Sequence, residues 1–378
     1  MGDRPPGRVG PACAPGGPRV SAERIVVAMS GGVDSSLAAA MAAETGAETI
    51  GITMHLAGSQ SRCCSLEDVE DARQVAERLG IRFYVANYLD AFRREVIEPF
   101  ADAYLAGETP IPCVACNKRF KFDHLLERAT VFGADRVATG HYARCERDPE
   151  TGRVRLLRAV DDNKDQTYFL FQLDQAQLER AWFPLGSLSK TEVRERARAL
   201  ELATADKPES QEICFVPDGD YASVVEAIRP EAKKASGDIV DAEGQVLGRH
   251  DGVHRFTVGQ RKGLGITTSE ARYVTSIEPE TRRVVVGARR DLECEETIVR
   301  EVSWVSGQVP DAPIRARVRV RYRHPGALAR VEPCEAGRVR LCFDEPVPAV
   351  SPGQAAVFYD PDDGQEVLGG GWLTRRQG

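Results

Sequence analysis

The chain has 378 residues, 28% of them charged and 42% hydrophobic, with 50 Lys and Arg against 57 Asp and Glu and a formal net charge of −7. That length predicts two or three domains rather than one core, and the acidic balance argues against a protein that coats nucleic acid, while leaving room for a local basic face. No apolar run approaches about 18 residues, which excludes a helical membrane span, and ten scattered cysteines are not the framework of a small secreted domain, so the cytoplasm is the expected setting.

Residues 1–22 are rich in Pro, Gly and Ala, with Arg4, Arg8 and Arg19 as their basic side chains. They lack the apolar core of a secretory signal and the period of a transit peptide, and read as a disordered tail in which Cys13 is incidental. Ile25–Ala28 is a short apolar run expected as a buried parallel strand, and Ser35–Thr45 is the following helix, closed by Gly46. Ala47–Met54 is the next strand, and Ser65 caps a helix running to Leu79 with Val69, Ala72, Val75 and Ala76 on one face. Ile81–Asn87 and Asp135–Thr139 are further strands, separated by helices Ala91–Leu105 and Lys118–Thr130. This alternation predicts an α/β, Rossmann-like parallel sheet with ligands beyond the carboxyl ends of its strands. A helix follows at Leu188–Leu200. Beyond Tyr221, short β-type runs with turn residues, such as Gly237–Gly244 and Arg283–Gly287, predict two small, mainly β modules, the last barrel-like. The expected boundaries are a tail at 1–22, a catalytic domain at 23–222, a central β module at 223–294 and a C-terminal RNA-binding module at 295–378.

The most informative stretch is Ser30-Gly31-Gly32-Val33-Asp34-Ser35-Ser36, directly behind the first strand. Adjacent glycines let backbone N–H groups approach an anion without a Cβ in the way, and the serine hydroxyls and the next helix's positive end complete a phosphate cradle. No Lys-Ser/Thr follows the glycines, so this is not the common P-loop. It resembles instead the PP-loop of the N-type ATP pyrophosphatases, which cleave ATP to AMP and pyrophosphate.

Thr109–Asn117 reads as a loop between helices, its prolines barring either helix, so that Cys113 and Cys116 stand exposed near the next helix's N-terminus. Half a zinc site is the alternative, without a second pair to complete it. Cys214, within Gln211-Glu212-Ile213-Cys214-Phe215, is the third thiol; on its own it reads as a small buried apolar residue.

Taken together, Ser30–Ser36, Pro112–Lys118, Ala138–Tyr142, Asn163–Leu170, Gln211–Phe215 and Gly259–Ile266 resemble, in order, the tRNA-specific 2-thiouridylase family, and the likeness runs on through Pro352–Tyr359 and Leu368–Gly371. The resemblance implies ATP-dependent adenylation of the C2 oxygen of a tRNA wobble uridine, with Mg²⁺, followed by sulfur transfer from a cysteine persulfide supplied by a sulfur-donor protein. It implies Cys116 as the nucleophile and Cys214 as the persulfide carrier, joined in a disulfide during turnover. It assigns ATP binding to Ala28, Met29, Ser30, Gly31, Gly32, Val33, Asp34, Ser35, Met54 and Gly140. It assigns tRNA contacts to His141, Lys164, Asp165, Gln166, Arg321, Tyr322 and Gln354. Cys113 stands where some members carry an aspartate and others this same Cys-x-x-Cys. With Cys116 and Cys214 it makes the ligand count of a site-differentiated 4Fe–4S cluster, which leaves two sulfur routes open.

An RNA signal independent of these motifs is the alternation of Arg315, Arg317, Arg319, Arg321 and Arg323 with Ala316, Val318, Val320 and Tyr322. On a strand it puts the guanidiniums on one face, with no acidic residue before Glu332. A solvated face paired with acidic neighbours is the bland reading of the same pattern. Cys63-Cys64 reads as an unreactive loop pair, and His124, His250, His254 and His324 have no ligand spacing. Lys190–Arg198 reads as a solvated helical face. The rival functions are another PP-loop adenylating tRNA thiolase and a noncatalytic RNA-binding protein with a degenerate nucleotide loop.

Overall fold

The computed structural model describes residues 23–57, 65–209, 213–216 and 219–375. The expected tail 1–22, with Cys13, and the pair Cys63-Cys64 lie outside the described residues. The first domain is built on β1 (Arg24–Ala28), β2 (Glu48–His55), β3 (Arg82–Asn87) and β4 (Arg136–Ala138). A hairpin of β5 (Ala143–Arg147) and β6 (Val154–Arg158) follows, and β7 (Ala181–Trp182) returns to the sheet. All neighbours in the five-stranded sheet are parallel, in the order β3-β2-β1-β4-β7. The apolar run of β1 is buried on both sides. Ile25 and Val27 pack with Val33 and Leu37 on one face, and Val26 packs with Phe120 and Leu125 on the other.

The chain leaves β1 toward β2 and returns from β3 to β4, on the opposite side of β1. The crevice between the ends of β1 and β4 is therefore the switch point at which such sheets bind ligands. Helix α1 (Val33–Glu44) is buried almost all round, its alanines letting it lie close to the sheet. Helix α2 (Leu66–Leu79) starts with a Ser65–Asp68 capping box and ends at Gly80 in the left-handed conformation, with φ +65°.

One expectation fails here. Pro112 opens a helix instead of barring it: Pro112–Ala115 runs into a π-wound stretch, Cys116–His124, and then Leu125–Val131. Proline is well suited to the first helical position, where its missing N–H has no intrahelical partner to lose. Cys113 and Cys116 are thus half-buried residues of a helix, not members of an exposed loop.

The central module is a four-stranded sheet of β8 (Gly237–Val240), β9 (Val246–His250), β10 (Tyr273–Glu278) and β11 (Arg283–Gly287), ordered β10-β11-β8-β9. A closed barrel follows, made of β12 (Glu293–Trp304), β13 (Ile314–Arg319), β14 (Ala327–Cys334), β15 (Arg338–Pro348), β16 (Ala355–Tyr359) and β17 (Val367–Leu373). Its interior takes Ala316, Val318 and Val320, the apolar half of the arginine alternation.

The arginine half does not form the expected free stripe. The strand ends at Arg319; Arg315 pairs with Asp344 of β15 over the outer face of β14, and Arg317 donates to the Pro361 carbonyl. Arg319 turns toward the first domain, 3.2 Å from Asp165, while Arg321 and Arg323 remain exposed. The acids come from other elements, which a local stretch of sequence does not display. His250, His254 and His324 are buried, and His124 stacks on Tyr88. Among the described residues no helix is long and apolar enough to cross a membrane.

Two seams join the barrel to the first domain. At one, Asp165, with its side chain 1% exposed, bridges Arg158 (3.1 Å) and Arg319 (3.2 Å), and Tyr168 donates to the Ala355 carbonyl. At the other, Arg300 forks onto both carboxylate oxygens of Glu108, and Gln354 donates to the Thr109 carbonyl at 2.8 Å. The Thr109 hydroxyl also meets Thr257 of the central module at 3.3 Å. The residues leading into Pro112 and Cys116 are therefore held by all three units.

Candidate active site

The loop after β1 folds on its own serines. The Ser30 N–H donates to Ser35 Oγ (3.1 Å), and the hydroxyls of Ser35 and Ser36 donate to the Gly32 carbonyl (3.0 and 2.9 Å). Gly32 is the N-cap of α1 and carries no side chain to cover the first helical amides, which remain available to an anion. Gly31 has φ +71°, and a Cβ there would stand 2.2 Å from the Asp68 carbonyl. Gly140, at the end of β4, is pressed just as closely: its Cβ would lie 2.7 Å from Ser35 N. Gly31→Ala is expected to combine left-handed backbone strain with a backbone clash. The expected outcome is a loss of about 1–3 kcal/mol in stability together with weakened ATP binding, checked by urea unfolding and ATP titration. Wild-type values in both would contradict this geometry.

A cavity of about 340 Å³ opens at the switch point. Of the expected ATP-binding residues, Ala28, Met29, Ser30, Gly32, Val33, Asp34, Ser35, Met54 and Gly140 line it, and Gly31 shapes the loop from behind. Cys113, Cys116 and Cys214 line the same cavity, as do His141 and Gln166. The Ser30–Ser35 loop and the three thiols thus share one chamber. Among the described residues no three His, Cys, Asp or Glu side chains converge as metal ligands.

The remaining expected tRNA-contacting residues lie along the seams. Lys164 pairs with Glu209 (2.6 Å), Asp165 is in the buried bridge, Tyr322 packs on Phe169 with ring centres 4.6 Å apart, and Gln354 holds Thr109. Arg321 is exposed and donates to the Pro348 carbonyl. Gln166 accepts from the Tyr142 N–H, tying its turn to the end of the Thr139–Tyr142 segment.

His141 is buried, with Nδ1 2.7 Å from the Thr139 hydroxyl and Nε2 3.3 Å from the Lys121 ammonium. Burial, and then the Lys121 charge, holds its pKa well below the ordinary histidine value. The same Nε2 lies 3.2 Å from the Asn117 amide oxygen, so it faces one donor and one acceptor. His141 is a neutral base facing the chamber.

Several residues of the site had no sequence signal. Lys190 is not on a solvated face: its ammonium lies 2.6 Å from Asp34 and 2.8 Å from Glu209, with 12% of the side chain exposed. Tyr142 donates to the same Asp34 oxygen at 2.8 Å. Burial alone would raise the Glu209 pKa, but hydrogen bonds from Lys164 and Lys190 outweigh it and bring it down to about 2. A carboxyl depressed in the fold stabilises fully above its unfolded pKa and loses that contribution as pH falls through the folded value. The stability gap between wild type and Glu209→Gln is therefore expected to be constant above about pH 5 and to shrink from about pH 4.5 toward 2. Unfolding measured across that range checks it; a gap that widens in acid would contradict the ion cluster. Lys207 also lines the chamber, bridging Asp68 and Asp71 of α2.

Comparison with known proteins gives three family matches in chain order. Residues 23–218 match a tRNA methyl transferase HUP domain, 226–288 a tRNA methyl transferase PRC-barrel domain, and 294–373 an aminomethyltransferase β-barrel domain. The tRNA-specific 2-thiouridylase MnmA of Solibacter usitatus is 53% identical over 368 residues, covering 92% of this chain and 98% of that protein. The protein of that name from Acidobacterium capsulatum is 50% identical over 371 residues, covering 93% and 98%. That from Rhodospirillum centenum is 50% identical over 369 residues, covering 94% and 92%. With identity at this level over nearly the whole of each chain, and the glycine-serine loop and three thiols in one chamber, the chain belongs to the tRNA-specific 2-thiouridylase family.

Proposed function

We propose that the protein is a sulfurtransferase that replaces the C2 oxygen of the wobble uridine of tRNA with sulfur, at the expense of ATP converted to AMP and pyrophosphate. The observation that carries the reading is the shared chamber: Ser30–Ser35 and Gly140 on one wall, Cys113, Cys116 and Cys214 on another. Methyl transfer, which the names of two matched domains suggest, gives no reason for an ATP-type cradle facing three thiols.

A uridine C2 oxygen is a poor leaving group. Attack by that oxygen on the α-phosphorus expels pyrophosphate and turns the oxygen into part of an AMP ester, a good leaving group. The amides at the head of α1 and the serine hydroxyls would hold the phosphates, with Mg²⁺ accompanying the nucleotide. The terminal sulfur of a persulfide on Cys214, charged by a sulfur-donor protein, then attacks C2 and AMP departs. Cys116 attacks the Cys214 sulfur, a disulfide forms between the two, and the uridine keeps the transferred sulfur. Reduction of that disulfide resets the enzyme. Cys113, near the head of the same helix, gives a neighbouring thiol that can take part in exchange. The neutral His141 suits a contact to an uncharged base edge, and a stacked wobble base has to leave the anticodon stack to reach it. Lys164, Gln166, Arg321, Tyr322 and Gln354 supply further RNA contacts along the seams, with Asp165 holding their turn to the barrel.

The test is single-turnover thiolation of a tRNA transcript with ATP and a persulfide donor. AMP, pyrophosphate and 2-thiouridine are expected in equal amounts from a colourless, iron-free preparation. Thiolation that depends on bound iron and sulfide would favour the cluster route instead.

A further inference from the structure

The central module carries, on the loop that holds the Gly259–Ile266 motif, a site that the chamber does not use. The segment Gly259–Arg272 between the Val253–Arg255 turn and β10 is a glycine-rich loop with Arg261 and Lys262 fully on the surface. A small cavity of about 240 Å³ lies within it, walled by Arg261, Gly263, Leu264, Thr268, Glu270 and Arg272. The Nε–H of Arg272 is buried without a hydrogen-bond partner. Among the described residues, Arg261, Lys262 and Arg272 enter no ion pair, and Glu270 is the one carboxylate at the wall. A buried donor left unsatisfied costs free energy, and an oxyanion would remove that cost.

The loop is preformed. Leu264 is buried in the module's core, and Ile266 packs over Gly248, where an added Cβ would be 2.7 Å away. The Gln260 side chain accepts from the Thr257 N–H and donates to the Lys262 carbonyl at 3.0 Å, fixing the base of the loop. Gly263 and Gly265 have φ of +75° and +67°, and at Gly265 an added Cβ would meet nothing, so that glycine serves the backbone turn and not close packing. The loop leaves from the point where the three units meet. Gly259 abuts Ala349 of the barrel, and Thr257 touches Thr109, three residues ahead of Pro112 at the chamber wall.

We propose that this loop is a phosphate-backbone site, gripping the RNA through Arg261, Lys262 and Arg272 while the base occupies the chamber. The proposal rests on the tRNA reading above. Guanidinium forks with an unsatisfied Nε–H suit a tetrahedral phosphate better than a peptide carboxylate dispersed along a chain. Such contacts position the RNA without reading its sequence.

The experiment uses the full chain with an unmodified tRNA transcript, measuring Kd between about 50 and 200 mM salt. The paired variant Arg261→Gln/Lys262→Gln is expected to weaken binding about tenfold at low salt and to flatten the salt slope by about two. Arg272→Gln is expected to flatten it by about one. ATP affinity, thermal unfolding and the single-turnover rate at saturating tRNA should remain at wild-type values. Wild-type tRNA binding that persists unchanged in all variants overturns this site alone. So does loss of donor-protein binding with tRNA binding intact, which would make the loop a protein dock. A wild-type chain that binds no tRNA overturns the parent reading, and the site with it.

Discussion

Cys116→Ser is expected to stop thiolation, with a fall of at least about 10³-fold in the single-turnover rate, while ATP still binds in the cradle. Cys116 follows the first turn of the helix that Pro112 opens, and it lines the chamber with Cys214. Serine at the position keeps the size and polarity but is a far weaker nucleophile toward a disulfide sulfur, so the last step stalls. Cys214→Ser should be equally inactive for a different reason, because an alkoxide carries no transferable sulfur. The two variants separate by mass spectrometry: Cys116→Ser should accumulate tRNA linked through Cys214, whereas Cys214→Ser should accumulate no such adduct. Retention of a tenth or more of the wild-type rate by either variant would contradict the assigned roles.

Asp165→Ala is expected to lower stability by about 3 kcal/mol and to loosen the barrel from the first domain. The carboxylate is buried and shared between Arg158 at 3.1 Å and Arg319 at 3.2 Å, with Thr167 donating to it at 2.9 Å. Removing it leaves the largely enclosed Arg319 without its acidic partner and Arg158 with only the exposed Asp162, a larger loss than the absence of any one hydrogen bond. Urea unfolding and limited proteolysis between the units measure it. A change under about 1 kcal/mol, with unaltered proteolysis, would mean that Asp165 acts chiefly at the RNA and not as the joint of the domains.

What was legible in the sequence was local. Ile25–Ala28 followed by two glycines and a serine-rich helix start is a strand, a phosphate loop and a cap in adjacent residues, and every part of it depends on its neighbours along the chain. The alternation of Ala316, Val318 and Val320 likewise announced a strand with one buried face. What was not legible depends on distant partners. The arginines beside that face looked unopposed because Asp344 and Asp165 are supplied by other elements. Lys190 looked solvated because neither Asp34 nor Glu209 is near it in sequence. Pro112 hides its role for another reason: proline ends a helix from inside but begins one from its first position, and the pattern of prolines alone does not separate the two.

The central claim is that the uridine's own C2 oxygen becomes part of AMP, and isotope tracing reads this directly. A tRNA carrying ¹⁸O at C2 of its wobble uridine is incubated with enzyme, ATP and a persulfide donor in unlabelled water, and the products are weighed by mass spectrometry. One ¹⁸O in the phosphate of AMP for each 2-thiouridine formed is the predicted result. Unlabelled AMP alongside newly thiolated tRNA would contradict adenylation at that oxygen.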